Sequence, residues 1–289
     1  MKSVAIIGAS VSSHNVALRL REKCPDCRIT LISEEDCLAY DHLKLADLIS
    51  GVITEEQLFL CAEGLYREQK IDFLKGKKVS GLNTQKKLIY FKEKGNLSYD
   101  YLVIASGRSP TLPEIPGAKK KGVFRLYTLE DAREFLRHYI SEPVCVAGSD
   151  AFALKVSEAI VEKYKVEVKL LTPKAFAPGS IPKNVEVIHD PLQEIIGEGE
   201  AQAVKLKSGK AISVSAVLFM DDYRPNADFL KNTDVAVKDG LVAIDGWMQT
   251  AVKDVFACGS IIGKDSVVIG MILVDNIIRQ MKGETCQTS

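Results

Sequence analysis

Gly8, Ser10 and Ser13 have the types and spacing of a phosphate-binding turn. They lie in Gly8-Ala9-Ser10-Val11-Ser12-Ser13, directly after an apolar run, 4–7, of buried-strand length. Glycine admits the sharp turn, small side chains let a pyrophosphate come close, and a helix starting there offers free amides to an anion. The next strand, 28–33, ends in Glu34-Glu35, where an acid accepts hydrogen bonds from the ribose of a dinucleotide. The G-x-G-x-x-G spacing is kept, with serine at the second and third glycine positions. Ser10 adds a side chain at the point of closest approach, and Ser13 loosens the packing of helix on strand. Taken alone, this segment reads equally well as an ordinary βα turn.

A second segment repeats the first in outline. VCVAGSDAFALKVSEAIV, from 144, echoes VAIIGASVSSHNVALRL, from 4, and 167–171 repeats the second strand. This duplication predicts two dinucleotide-type α/β units. In the repeat the turn reads Gly148-Ser149-Asp150-Ala151-Phe152-Ala153, with a carboxylate where a phosphate approaches and a large ring beside it. Its second strand ends in Leu171-Thr172-Pro173, which has neither an acid for a ribose nor a base for a 2′-phosphate, and 173–185 has no room for a long helix.

The elements that carry these turns follow from punctuation and periodicity. A loop and helix are expected over 40–49, a helix over 55–69, short strands over 71–91, and a strand over 97–105. Pro110, Pro113, Pro116 and Gly117 read as a linker, followed by a helix near 129–139. A short strand, 241–244, leads to a further strand ending at Cys258-Gly259-Ser260, and a final helix covers 271–281. Two domains are expected, one discontinuous over 1–112 and 234–289, the other over 113–233.

Lys+Arg and Asp+Glu both number 38, so no global field recruits nucleic acid or an anionic membrane. The 118–121 lysine run reads as a solvated loop. The chain opens into a strand rather than a signal peptide, and its longest apolar run, 267–274, is too short to span a bilayer. Seven cysteines, an odd number, fit a reducing, cytoplasmic setting better than a disulfide framework. Cys24-Pro25-Asp26-Cys27 has C-x-x-C spacing without a second pair, and His14, His42, His138 and His189 form no spaced ligand pair. The pair is therefore expected to be a plain loop, and no metal site is expected.

In order and content these segments resemble the FAD-dependent pyridine nucleotide-disulfide oxidoreductase superfamily, in its branch of rubredoxin reductases and nitrite reductase flavin domains. The resemblance rests on 3–13, on SEEDCLAYDHLKLADLISG at 33–51, on YDYLVIASG at 99–107, on DDYRPNADFL at 221–230 and on TAVKDVFACGS at 250–260. It implies that Gly8, Ser10 and Ser13 line the FAD pyrophosphate and that Glu34, or else Glu35, holds the ribose. Val79 would meet the adenine through its backbone, and Ala105, Ser106, Gly107, Gly259 and Ser260 would lie along the cofactor.

Several positions depart from the family pattern. Ser260 stands for the acid that holds the ribityl region, His42 for a phosphate-facing arginine, and Asp47 for a lysine near the flavin ring, with Lys44 as a partial substitute. The redox cysteine of one branch would fall near Leu43, so cysteine-based disulfide or peroxide chemistry is not expected there. Gly148, Asp150 and Ala153 would form the nicotinamide site, and Asp150 argues against NAD(P)H binding.

The function implied is an FAD-dependent oxidoreductase passing electrons between NAD(P)H and a small redox protein or larger redox complex. The alternatives are an FAD-holding electron-transfer subunit without a working nicotinamide site and a flavin-free structural subunit. The apolar stretch after Ser260 implies a homo- or hetero-oligomer.

Overall fold

The computed structural model describes residues 1–177, 179–264 and 267–284, apart from the side chain of Val267; the last five residues of the expected 234–289 span lie outside them. The chain is α/β. Its central strands are β1 (Ser3–Ile7), β2 (Arg28–Ile32), β3 (Ile71–Leu74), β4 (Tyr101–Ile104), β5 (Val123–Arg125), β6 (Val144–Ala147), β7 (Val168–Leu171), β8 (Val185–Ile188), β9 (Ala216–Phe219) and β10 (Val255–Ala257). The principal helices are α1 (Val11–Lys23), α2 (Leu45–Ser50), α3 (Leu129–Arg137), α4 (Ala151–Tyr164) and α5 (Val267–Met281).

One compact unit comprises Met1–Asp41, Phe59–Arg108 and Pro225–Ser289. Its sheet is parallel throughout, in the order β10-β4-β1-β2-β3. β1, β2 and β4 are buried almost end to end, as strands covered on both faces must be. α1 packs Val16, Ala17 and Leu20 inward and lies against α5, which buries Leu273, Val274 and Ile277. Val268 and Met271 of α5 remain 60% and 40% exposed. α5 begins four residues before the sequence reading places it.

The helix expected over 55–69 is broken. Glu55–Leu58 and Leu65–Glu68 are single turns, because Phe59 bridges to Tyr40 and the Leu60 amide donates to the Ala39 carbonyl at 2.8 Å. Long-range backbone pairing overrides the local helical pattern here.

The second compact unit comprises His42–Leu58 and Ser109–Arg224. Its parallel sheet runs β8-β7-β6-β9-β5. The described residues between β7 and β8 contain no helix, in keeping with the short spacing. The segment His42–Leu58 groups here rather than with the rest of 1–112, since α2 packs on α4 and α3, Asp47 pairs with Lys155 at 2.8 Å, and Arg133 pairs with Glu55.

Cys24 and Cys27 are joined by a disulfide, with Cα atoms 5.5 Å apart, where the sequence reading expects a plain loop. The turn that follows α1 folds the two sulfurs together, which spacing alone does not reveal.

His14, 8% exposed on α1, places Nδ1 2.7 Å from the Tyr66 hydroxyl. Burial holds its pKa below the ordinary value of 6.5 and pushes that of Tyr66 up. Native His14 is therefore neutral, and below about pH 6.5 the unfolded chain binds a proton that the native chain resists. Stability should be fully retained above that pH and fall as the pH drops through it. The urea midpoint of the wild type is expected to decline from about pH 7 to about pH 5 more steeply than that of His14→Asn.

Candidate functional site

In the first unit the parallel strands β1, β2, β4 and β10 deliver their following turns to one edge of the sheet. Gly8, Glu34, Ala105 and Gly259 thereby come to the same edge. The chain passes from β1 to β2 on one side and to β4 on the other, so the seam between β1 and β4 is the switch point where α/β sheets bind ligands. Gly8 has φ +120°, and a Cβ there would lie 2.1 Å from the Ala105 carbonyl oxygen. Its amide donates to Ile32 O at 2.8 Å, and the Ala105 amide donates to Ile7 O at 2.8 Å. The two turns are thus in backbone contact.

Ser10 is the N-cap of α1, and its amide donates to Ser13 Oγ at 2.7 Å. The backbone of Ser10 also bridges to Tyr40. The first turn of α1 contains no acidic residue, so the positive end of the helix dipole meets no carboxylate of its own helix. Across the seam, Asn226 clips the Ala105-Ser106-Gly107 turn: its amide donates to Gly107 O at 3.0 Å, its Nδ2 to Ser106 O at 2.9 Å, and Ser106 Oγ donates to the Asn226 carbonyl at 2.8 Å. Gly259 has φ +80°, and a Cβ there would meet Ser12 Oγ at 3.2 Å. Ser260 opens a short 3₁₀ turn, Ser260–Ile262.

The two acids after β2 have separate environments. Glu35 accepts from the Tyr40 hydroxyl at 3.0 and 2.9 Å, whereas Glu34 is exposed and pairs with Lys78 at 2.5 Å. Val79 follows Lys78 and opens the antiparallel hairpin strand Val79–Asn83. Lys44, His42 and Asp47 belong to the second unit. There the His42 ring lies 4.7 Å from Tyr127 and 5.6 Å from Phe152, Tyr127 lies 5.7 Å from Tyr223, and Asp47 is held by Lys155.

The corresponding turn of the second unit is occupied by the protein's own carboxylates. Asp150 is the N-cap of α4, and its Oδ1 accepts from the Ala153 amide at 2.9 Å. Asp221, after β9, accepts through Oδ1 from the Ser149 amide at 3.0 Å and from Ser149 Oγ at 2.7 Å. A Cβ on Gly148 would come 2.4 Å from that of Ala153, so strand and helix are in close contact here. Sequence reasoning places Asp150 at this turn and quotes Asp221 within the 221–230 segment, but assigns Asp221 no role there. It also misses Asn226 and Lys155, whose partners lie 120 and 108 residues away.

The family model described as pyridine nucleotide-disulphide oxidoreductase matches residues 2–283. An NADH oxidase of Methanocaldococcus jannaschii is 27% identical over 88% of this chain, which spans 62% of that protein. An assimilatory nitrate reductase electron transfer subunit of Bacillus subtilis is 23% identical over 84% of this chain, which spans 34% of it. For an NADH-rubredoxin oxidoreductase of Clostridium acetobutylicum the values are 24%, 90% and 69%. Among solved structures, the covalent putidaredoxin reductase-putidaredoxin complex superposes with a TM-score of 0.85 at 20% identity, over 100% of this chain and 77% of that one. A NAD-dependent persulfide reductase from A. fulgidus gives 0.86 at 20% identity, over 96% and 59%. These structures share the fold.

As a helix cap, Asp150 is expected to contribute about 1 kcal/mol, so Asp150→Ala should lower the urea midpoint accordingly while Asp150→Asn, which retains the acceptor, stays within a few tenths. Equilibrium urea unfolding of the three proteins at constant m-value measures both effects.

Proposed function

The chain belongs to the pyridine nucleotide-disulphide oxidoreductase family, and from that premise we propose that it is an FAD-dependent oxidoreductase that exchanges electrons with a small redox protein or a larger redox complex. The observation that carries this reading is the contrast between the two turns. The first opens α1 on a serine N-cap with no acidic residue in the leading turn, beside two small-residue turns, whereas the second carries Asp150 as the N-cap and Asp221 on the Ser149 amide. The donor chemistry at the first turn fits a pyrophosphate, and the exposed Glu34 fits a ribose.

In this reading Gly8, Ser10 and Ser13 hold the phosphates, Glu34 accepts from the ribose hydroxyls, and Val79 meets the adenine. Ala105, Ser106, Gly107, Gly259 and Ser260 line the remainder. Ser260 offers a neutral hydrogen bond where an acid would offer a charge-assisted one, so the cofactor is held more loosely. Bound FAD supplies a centre that accepts electrons as a pair and releases them singly. The protein contributes position and electrostatics rather than a nucleophile.

The source of electrons divides two readings. In the first it is NAD(P)H, as in the relatives named for NADH. The second, an FAD-holding subunit reduced by a protein partner, is favoured by the two carboxylates at the second turn, because a dinucleotide phosphate would have to displace Asp150 from its cap and enter beside Asp221. One unit of charge repulsion at about 4 Å opposes binding by roughly 1–4 kcal/mol at water-like to surface dielectrics. Among the described residues no helix is long and apolar enough to cross a membrane. The exposed Val268 and Met271 of α5 suit an oligomer or partner contact in the same proposal.

The purified protein is expected to take up FAD and show a flavin spectrum, with Glu34→Ala weakening binding by on the order of 1.5–3 kcal/mol. A protein that takes up no FAD at high concentration overturns the proposal. Stopped-flow mixing of the FAD-loaded protein with NADH separates the two readings: bleaching during mixing supports the first, and an oxidised spectrum that a reduced iron-sulfur or rubredoxin-type protein then bleaches supports the second. Calorimetric titration with NADH is expected to show weak or no binding to the wild type. Gain of binding in Asp150→Gly would assign the loss to that carboxylate.

A further inference from the structure

We propose that Cys24 and Cys27 form a second, thiol-based redox site, a dithiol–disulfide couple that exchanges with dithiol proteins. The two cysteines close a loop with a sequence separation of 3 at the carboxyl end of α1. Loop-closure stabilisation falls as the closed loop gets shorter, so a bond across so few residues constrains the unfolded chain little. The neighbourhood is held by other means. Arg21 donates to the carbonyls of Gln69 at 2.8 Å, Lys70 at 2.7 Å, Pro25 at 2.6 Å and Cys24 at 3.3 Å. The Cys24 amide completes the helix by donating to Leu20 O at 2.8 Å. The bond can therefore open and close while the loop and its neighbours stay in place.

The two sulfurs are unequal, as exchange requires. Cys24 is half-buried and followed by the exposed Pro25 and Asp26, whereas Cys27 is 4% exposed with its Sγ 3.6 Å from Met281 Sδ. A partner thiolate reaches Cys24 Sγ. Attack there breaks the Sγ–Sγ bond, forms a mixed disulfide on Cys24 and releases Cys27 as a thiolate, which takes up a proton. The partner's second thiolate then attacks its own sulfur in the mixed disulfide and frees Cys24, which is protonated in turn. In sum, two electrons and two protons enter the protein and the partner's dithiol becomes a disulfide.

The couple is separate from the dinucleotide turn. Between Ser10 and Cys24 runs the whole of α1, 13 residues or about 20 Å, so the partner brings the electrons from outside. The site stands whether or not FAD binds.

The test is differential alkylation of the full-length protein. Trypsin releases the peptide 24–28, Cys-Pro-Asp-Cys-Arg. Air-equilibrated native protein treated with N-ethylmaleimide should yield this peptide unlabelled. Native protein first reduced with dithiothreitol should yield it doubly labelled, with an unchanged circular dichroism spectrum, and protein reduced and then reoxidised before alkylation should again yield it unlabelled. In Cys27→Ser, Cys24 should react with 5,5′-dithiobis(2-nitrobenzoate), and in Cys24→Ser the buried Cys27 should react more slowly by about tenfold or more, as burial of a thiol requires. Double labelling of the air-equilibrated protein, or reduction achieved only after unfolding in urea, would overturn the proposal. So would equal reactivity of the two variants.

Discussion

The approach of the Gly8 turn to the Ala105 carbonyl is the constraint on which the first unit depends. A side-chain carbon at position 8 would sit 2.1 Å from that oxygen, well inside van der Waals contact, and the residue occupies φ +120°. Glycine alone meets both conditions without displacing backbone. Because it does, the ends of β1, β2 and β4 are tied through Gly8 to Ile32 and Ala105 to Ile7, and α1 starts where its amides face the seam. Asn226 then fixes the second turn from 120 residues away. The small residues along both turns keep that seam narrow.

The two units share a plan and differ in how they treat the positive end of a helix. Free amides at a helix N-terminus attract an anion. In the first unit the leading turn of α1 is without acid. In the second, Asp150 supplies the anion from within and Asp221 engages the amide beside it. The same physics that would recruit a phosphate in the proposed site of one unit stabilises the native fold in the other, and a turn satisfied internally has less to gain from a ligand. The aromatic contacts of His42 with Tyr127 and Phe152 show the second unit packed around its own side chains at a position where the family resemblance implies a phosphate contact.

α1 itself has two chemically distinct ends. Its amide end faces the seam between β1 and β4, and its carbonyl end, capped by Cys24, disfavours a thiolate. The carboxyl-end cysteine pair thus differs from C-x-x-C pairs at helix N-termini, whose thiolates the dipole favours. Arg21, which binds the carbonyls of this end, holds the loop independently of the sulfur–sulfur bond.

What the sequence by itself determined was local. The apolar runs of β1, β4, β6 and β9 and the glycines that end them specify strands and turns through residues a few positions apart, and the repeat of that pattern specifies two units of one kind. The order of motifs likewise specifies the family. Tertiary structure decided what depends on residues distant in sequence. It broke the helical pattern of 55–69 by pairing Phe59 with Tyr40, drew His42–Leu58 into the second unit through Asp47 and Lys155, and turned Asp150 from a repelling charge into a helix cap joined by Asp221. It also separated Glu34 from Glu35 by pairing the former with Lys78, 44 residues away. Periodicity and turn chemistry are properties of neighbours along the chain, whereas hydrogen bonds and ion pairs across tens of residues exist only once the sheet order has set which strand ends meet.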